Sequence, residues 1–250
     1  MKPMYIEPGE WNLVEKILKA RGPPSEHFTV VVEGKKGRGK SSYAIQVGVR
    51  VLKYAYGLTD QEAWEAIKGF IVWTPVQYAN KIEEIEKTIG VAPVIIWDDA
   101  GYWLSAYKFR EQAIQAVAEY NDLARTHLVC TILTSPRSTS ITRRVRVDPG
   151  GLKVRIVKVS AGDPWKRWAH IYRWWESPDE KRVGTSHRLT DEFNCKLPDE
   201  FFAWYDPLRR RYEQAARKVF AKIWGQILEK EGIEGEIWHQ PIVVPRRDQA

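Results

Sequence analysis

The chain has 250 residues, enough for one α/β domain with additions and a sizeable core. Its formal charge of +7 and its 12 tryptophans suit a polyanionic partner and aromatic contact surfaces. Its 2 cysteines are too few for a disulfide framework, no run approaches a membrane span, and Met1 to Glu7 lacks an apolar signal stretch, so the expectation is a cytoplasmic protein with no membrane association.

Glu10 to Ala20 sets Trp11, Val14 and Leu18 at helical spacing, with Leu13 and Ile17 beside them, and predicts a short amphipathic helix. Arg21-Gly22-Pro23-Pro24 ends it. His27-Phe28-Thr29-Val30-Val31-Val32 is a β-branched run and predicts a buried strand. The next residues, Gly34-Lys35-Lys36-Gly37-Arg38-Gly39-Lys40-Ser41, fit G-x-x-x-x-G-K-[ST], the phosphate-binding P-loop. Glycines let the backbone curl so that successive N–H groups point at phosphate oxygens. Lys40 is placed to reach the β- and γ-phosphates, and the Ser41 hydroxyl to ligate Mg²⁺. A helix from Ser41 to Ala55, stopping near Gly57, puts the phosphates on a helix N-terminus. The expected nucleotide contacts are therefore Gly34, Lys35, Lys36, Gly37, Arg38, Gly39, Lys40, Ser41 and Ser42.

Thr59-Asp60-Gln61-Glu62 is a capping box that opens a helix to about Lys68, and Phe70-Ile71-Val72-Trp73 is a second strand. Thr74-Pro75-Val76-Gln77 is another capping box, followed by a helix to about Thr88. Val94 to Trp97 is a third strand. Lys108 to Thr126 is a helix with Ala113, Ile114, Val117, Ala118 and Leu123 inward, and Leu128 to Thr134 is a fourth strand. The alternation predicts an α/β fold: a parallel sheet with helices on both faces. Leu152 to Ser160 and Trp168 to Glu176 then form an antiparallel hairpin about the turn Ala161-Gly162-Asp163-Pro164. Ser177 to Ser186 reads as charged loop, and a long C-terminal helical region, interrupted or kinked near Pro207, runs from Leu197 to about Lys230. The expected domains are a P-loop core with its N-terminal helix, residues 1–150, and a hairpin with helical extension, residues 151–250, packed on it.

The third strand ends in Asp98-Asp99. Adjacent acids at the end of a buried strand are costly unless a cation sits there. Asp98 is expected to hold Mg²⁺ and Asp99 to orient or deprotonate an attacking water. A complete strand–helix unit, Phe70 to Thr88, separates Lys40 from Asp98. This order resembles the P-loop ATPases with an additional strand and a catalytic acid, the group of AAA+, RecA-like and translocase ATPases. The resemblance implies a strand inserted between the two Walker strands, with a polar sensor at its tip; Thr134 or Ser135 stands there, and a plain turn or helix cap is the other use of those residues. Asp98-Asp99-Ala100-Gly101 looks like the Walker B of replication initiators and helicase loaders, and the overall order resembles small DnaA-like ATPases of archaeal viruses and plasmids, across about residues 28 to 146. The hairpin from Leu152 to Glu176 stands where an AAA+ helical lid would.

Arg125, Arg137, Arg143, Arg144 and Arg146 surround the sensor strand and are either a source of an arginine finger or a solvated basic loop. In the hairpin, Lys153, Arg155, Lys158, Lys166, Arg167 and Arg173 interleave with Trp165, Trp168, Tyr172, Trp174 and Trp175. They form either a nucleic-acid surface or cross-strand packing with charges in water. The 5 histidines have no zinc-ligand spacing. The leading expectation is Mg²⁺-dependent ATP hydrolysis coupled to DNA binding, loading or translocation by a homo-oligomer, with DNA favoured over RNA. A small-molecule P-loop kinase and a nucleotide-binding assembly switch are the alternatives.

Overall fold

The computed structural model describes residues 10–23, 25–105, 115–116, 119–120, 126–147, 150–159, 162–179 and 181–230. The expected helix between Lys108 and Thr126, its inward residues and Arg125 lie almost wholly outside these, as does the tail beyond Lys230. Two compact units emerge, Met1–Pro198 and Asp199–Ala250.

In the first unit, α1 (Asn12–Ala20) buries Leu13, Val14, Ile17 and Leu18, one stripe of the amphipathic pattern. β1 (Phe28–Glu33) leads into the glycine loop, and α2 (Lys40–Tyr56) leaves it, ending at Gly57 in the left-handed conformation. The Thr59 capping box opens α3 (Asp60–Ala66): Thr59 N donates to Glu62 Oε2 at 2.9 Å and Glu62 N donates to Thr59 Oγ1 at 3.3 Å. β2 (Ile71–Val72) is short, because Phe70 belongs to the 3-10 turn before it. Thr74 caps α4 (Pro75–Thr88), accepting from Gln77 N at 3.2 Å; Gln77 Oε1 takes the amide of Trp73, one residue before the cap, at 2.9 Å. β3 (Ile95–Trp97), the short helix α5 (Ala100–Trp103), β4 (Cys130–Ser135) and the single turn α6 (Arg143–Arg146) complete the parallel half.

The sheet has seven strands in the order β2-β3-β4-β1-β5-β6-β7, counting β5 (Leu152–Lys158), β6 (Lys166–Glu176) and β7 (Val183–Asn194). β2, β3, β4, β1 and β5 run parallel, and β6 and β7 are antiparallel to their neighbours. Helices cover both faces of β3. Ile95 and Trp97 join Tyr78, Ile82 and Ile85 of α4 in one core, with Tyr78 and Trp97 stacked at 5.0 Å. Ile96 points the other way, to α2, where Gly48 permits a close approach: a methyl on it would stand 2.9 Å from Ile96 Cδ1 and 2.5 Å from Ile67 Cδ1. Each such buried aliphatic side chain contributes about 1.5–3 kcal/mol.

Two expectations change. The stretch read as loop from Ser177 to Ser186 gives way at Val183 to the strand β7. Its sequence lacks alternation because only Asp191 and Phe193 of its length are buried, and one of these is an acid. Moreover β5 pairs with β1, Val30 beside Leu152 and Val32 beside Val154, so the sheet runs straight through residue 150 and the hairpin strands belong to the first unit.

The second unit holds α7 (Asp199–Lys230), with Asp199 and Glu200 in its first turn. Pro207 sits inside it without ending it, so of the interruption or kink expected there the interruption is absent; proline removes one backbone donor, and the helix continues on either side. Among the described residues no helix is long and apolar enough to cross a membrane.

Candidate functional site

The parallel strands β1, β3 and β4 lie side by side in the order β3-β4-β1, so their C-terminal ends bring Glu33, Asp98 and Ser135 to one edge. In open α/β sheets this is the edge where ligands bind. Gly39 is the N-cap of α2 at φ 88°, ψ 26°, and no side chain caps that helix. A 17-residue helix thus aims its N-terminal dipole and backbone donors at the loop Gly34 to Gly39. Lys40 is buried at 9% exposure, and its Nζ donates back across the loop to Lys35 O at 3.4 Å. Ser42 follows Ser41 in the first turn of α2.

Ser41 Oγ donates to Asp98 Oδ1 at 2.7 Å. Thr134 Oγ1 donates to the same oxygen at 2.7 Å and accepts the Asp99 amide at 2.8 Å. Asp98 is 1% exposed. A buried carboxylate beside a hydroxyl is a hard-oxygen donor set of the kind a divalent magnesium ion takes. Thr134 ties β4 to the turn after β3. Asp99 holds φ 52°, the one left-handed non-glycine among the described residues. Such a conformation costs about 1–2 kcal/mol and re-aims the residue relative to the strand before it.

Ser135 behaves differently from Thr134. Its Oγ donates to Arg137 O at 2.8 Å and so holds the loop after β4. Adjacent strand residues face opposite ways, so only one of the pair reaches Asp98. Glu33, which drew no attention in the sequence, accepts from Ser138 N at 2.8 Å and pairs with Lys153 at 3.0 Å. Burial alone would raise its carboxyl, but the hydrogen bonds from Ser138 and the Lys153 ammonium hold it below its ordinary value. Its signal was only its place, the last strand residue before Gly34. Cys195 was equally unmarked. A methyl on Gly39 would stand 2.6 Å from Cys195 Cβ and 3.7 Å from the Phe193 ring, so the end of β7 is the wall against which the glycine loop rests.

The arginines separate by environment. Arg143 is ion-paired with Glu176, Arg144 lies 3.8 Å from Glu119, and Arg137 is exposed. Burial and the neighbouring Arg143 lower the Arg146 pKa. In the hairpin, several expected phosphate contacts are committed elsewhere. Arg167 is 6% exposed and its Nη1 donates to Pro164 O at 2.6 Å and Lys166 O at 2.7 Å, because the core side of β6 turns it inward. Lys166 pairs with Glu192 at 2.7 Å, and Trp168 Nε1 donates to the same side chain at 3.2 Å. Arg155, Lys158, Arg173 and Arg188 are exposed and carry no ion pair among the described residues.

No protein-family model matches the chain. Among solved structures, it is similar to the genome packaging NTPase B204 of Sulfolobus turreted icosahedral virus 2 in complex with AMPPCP, at 15% identity and TM-score 0.38, covering 65% of this chain and 97% of that one. It is also similar to the KaiC-like protein PH0186 of Pyrococcus horikoshii OT3, at 15% identity and TM-score 0.35, covering 65% of this chain and 90% of that one. Among curated sequences, the uncharacterized protein B-251 of Sulfolobus spindle-shape virus 1 is 24% identical over 203 residues, 74% of this chain and 75% of its own length. The uncharacterized protein ORF286 of Acidianus two-tailed virus is 30% identical over 206 residues, 78% of this chain and 68% of its own length, and the chain belongs to the same family as that viral protein.

Proposed function

We propose that the chain is a Mg²⁺-dependent ATPase of the additional-strand, catalytic-acid group, whose turnover is coupled to DNA. The observation that carries this is the convergence of Ser41 and Thr134 on one oxygen of buried Asp98, beside a helix N-terminus that no side chain caps. The position of β4 between β1 and β3 supports the group.

In this reading the loop Gly34 to Gly39 and the first turn of α2 hold the β- and γ-phosphates, and Lys40 swings from Lys35 O to neutralise them. Ser41 and Asp98 would hold Mg²⁺, which when bound would supply charge stabilisation for phosphoryl transfer. Asp99, lifted out of the strand line by its left-handed backbone, orients or deprotonates water, and Thr134 fixes the turn that carries it. Ser135 holds the loop that carries Arg137, an exposed arginine and one candidate for a finger toward a neighbouring subunit in a homo-oligomer. The +7 charge and the exposed Arg155, Lys158, Arg173 and Arg188 support a sequence-independent DNA contact, as an initiator, loader or packaging-type translocase needs. The test is ATP turnover with and without single- and double-stranded DNA across a salt series, beside Lys40→Ala. DNA-stimulated hydrolysis that Lys40→Ala abolishes supports the reading; turnover unmoved by DNA removes the coupling, and unchanged ATP affinity in Lys40→Ala removes the P-loop.

A further inference from the structure

The turn between β5 and β6 is built onto the phosphate loop, and it carries a large exposed ring. Trp165 is 52% exposed. Its backbone is nonetheless held from several sides. Trp165 N donates to Asp163 Oδ1 at 2.8 Å, Asn194 Nδ2 donates to Asp163 Oδ2 at 3.2 Å, and Cys195 N donates to Trp165 O at 2.9 Å. The buried Arg167 guanidinium locks the same turn through Pro164 O. An exposed tryptophan on so constrained a backbone is pre-organised, and pre-organisation lowers the cost of binding.

The strand register fixes what this turn lies beside. Lys166 is opposite Asn194 and Arg167 is opposite Phe193, so Trp165 is opposite Cys195. Phe193 and Cys195 are the residues in contact with Gly39. Trp165 is the turn residue just before β6, and its carbonyl accepts from the amide of Cys195, the residue against Gly39. Directly opposed residues have Cβ atoms about 4.5–5.5 Å apart, so the indole starts within one side-chain length of the wall behind Gly39. Gln46, two turns along α2, closes the same corner by donating to Asn194 O at 2.8 Å. A nucleotide whose phosphates lie in the loop has its nucleoside outside it, and this corner offers an exposed aromatic ring beside the loop.

We propose that Trp165 stacks on the base of the bound nucleotide, with the turn 162–165 and the end of β7 as the nucleoside subsite; this rests on the P-loop reading above. Stacking on an open ring reads the π-face of the base rather than its edge, so it favours purines by area and selects weakly between adenine and guanine.

The experiment compares Mg·ATP with Mg·tripolyphosphate, which shares the phosphates and lacks the nucleoside, by titration calorimetry on the full chain. Wild type is expected to bind ATP more tightly. Trp165→Ala should weaken ATP by about 10- to 100-fold and leave tripolyphosphate unchanged, and Trp165→Phe should recover most of the loss. Trp165→Leu, which keeps apolar bulk at the turn, should resemble Trp165→Ala and covers the case in which alanine disturbs the fold. Equal wild-type affinity for the two ligands overturns the proposal. So does a Trp165→Leu chain in which the ATP-to-tripolyphosphate ratio is unchanged, whether both affinities persist or both fall. Lys40→Ala separates the two readings: loss of both ligands there, with an unmoved ratio at Trp165, sinks the subsite and keeps the P-loop.

Discussion

Asp191→Ala is expected to be among the most destabilising single substitutions in the first unit. Asp191 is 3% exposed on β7 and gathers donors from elements far away in the chain. Tyr43 Oη donates to its Oδ2 at 2.6 Å from inside α2. Asn12 donates to Oδ1 through its backbone at 2.8 Å and its side chain at 2.7 Å, and Leu13 N reaches Oδ2 at 3.4 Å. The carboxylate thus caps the N-terminus of α1 and anchors α2 at once. Hydrogen bonds to a charged group contribute about 1.5–3 kcal/mol, and donors left unpaired in a buried site each cost about 1–3 kcal/mol. Asn12 can regain water at the helix end, but Tyr43 is fully buried and cannot. The expected loss is about 3–5 kcal/mol, a large share of a domain stability of roughly 5–15 kcal/mol. Tyr43→Phe removes one donor and keeps the ring, stacked on Trp11 at 5.5 Å and tilted against Phe193 at 5.0 Å; it should cost about 1–2 kcal/mol. Because Asp191→Ala already breaks the Tyr43 bond, the double variant should fall short of the sum by about 1–3 kcal/mol. Urea unfolding with midpoint and slope for all four chains measures this. A loss under about 1 kcal/mol in Asp191→Ala, or strict additivity, refutes the network.

Asp99→Asn should keep Mg·ATP affinity and lose about 10²-fold or more in turnover, whereas Asp98→Asn should shift the magnesium dependence itself; superimposable magnesium titrations would exchange or void these roles. Replacing Arg155 and Lys158 by Ala should flatten the log–log salt dependence of DNA binding by about one to two units if both touch phosphate, while Arg167→Ala should lower the melting temperature and leave the slope alone. Alkaline stability should report the buried tyrosines. Burial raises Tyr78 far above the ordinary tyrosine value, and burial together with Asp191 does the same for Tyr43. Both stay protonated in the folded chain while unfolded tyrosine ionises near pH 10, so their stabilising effect is intact below about pH 10 and declines above it, by up to about 1.4 kcal/mol per pH unit per residue. Urea midpoints at pH 8 and 10.5 should therefore differ less in Tyr78→Phe than in wild type, and an identical difference would assign the alkaline loss to other groups.

The placement of the glycine loop between β1 and α2, and of Asp98 at the buried end of β3, was readable because each is written in one short stretch. Gly34 to Ser41 needs its glycines and its lysine at fixed spacing, and Asp98 needs only a buried strand before it. The fold class followed from strand–helix alternation, which parallel pairing enforces. The hidden features are those that depend on partners distant in sequence. Nothing near Cys195 announces that Gly39 lies against it, since 156 positions of chain separate surfaces that only the closed sheet brings together. β7 escaped because its outward residues meet water and its inward Asp191 satisfies hydrogen bonds where a hydrophobe would have marked the period. Arg167 was misread for the converse reason: a guanidinium between Lys166 and Trp168 looks solvent-facing until the strand register turns it inward. Composition does not say which of Thr134 and Ser135 reaches Asp98; alternation along β4 sends Thr134 there and Ser135 to the Arg137 carbonyl.

The contact between Gly39 and Cys195 closes a circuit. From Gly39 the chain leads back through the loop to β1, and β1 leads sideways through β5 and β6 to β7, whose end touches Gly39 again. Three inter-strand steps make that path roughly 14 Å across the sheet. A loop anchored only through β1 could settle around a ligand by bending at its glycines. A loop braced at both ends of such a circuit cannot shift at Gly39 without either turning the Cys195 side chain or changing the twist of the strands between. Gly39 is thereby braced from two directions, along the chain through β1 and across the sheet through β5, β6 and β7.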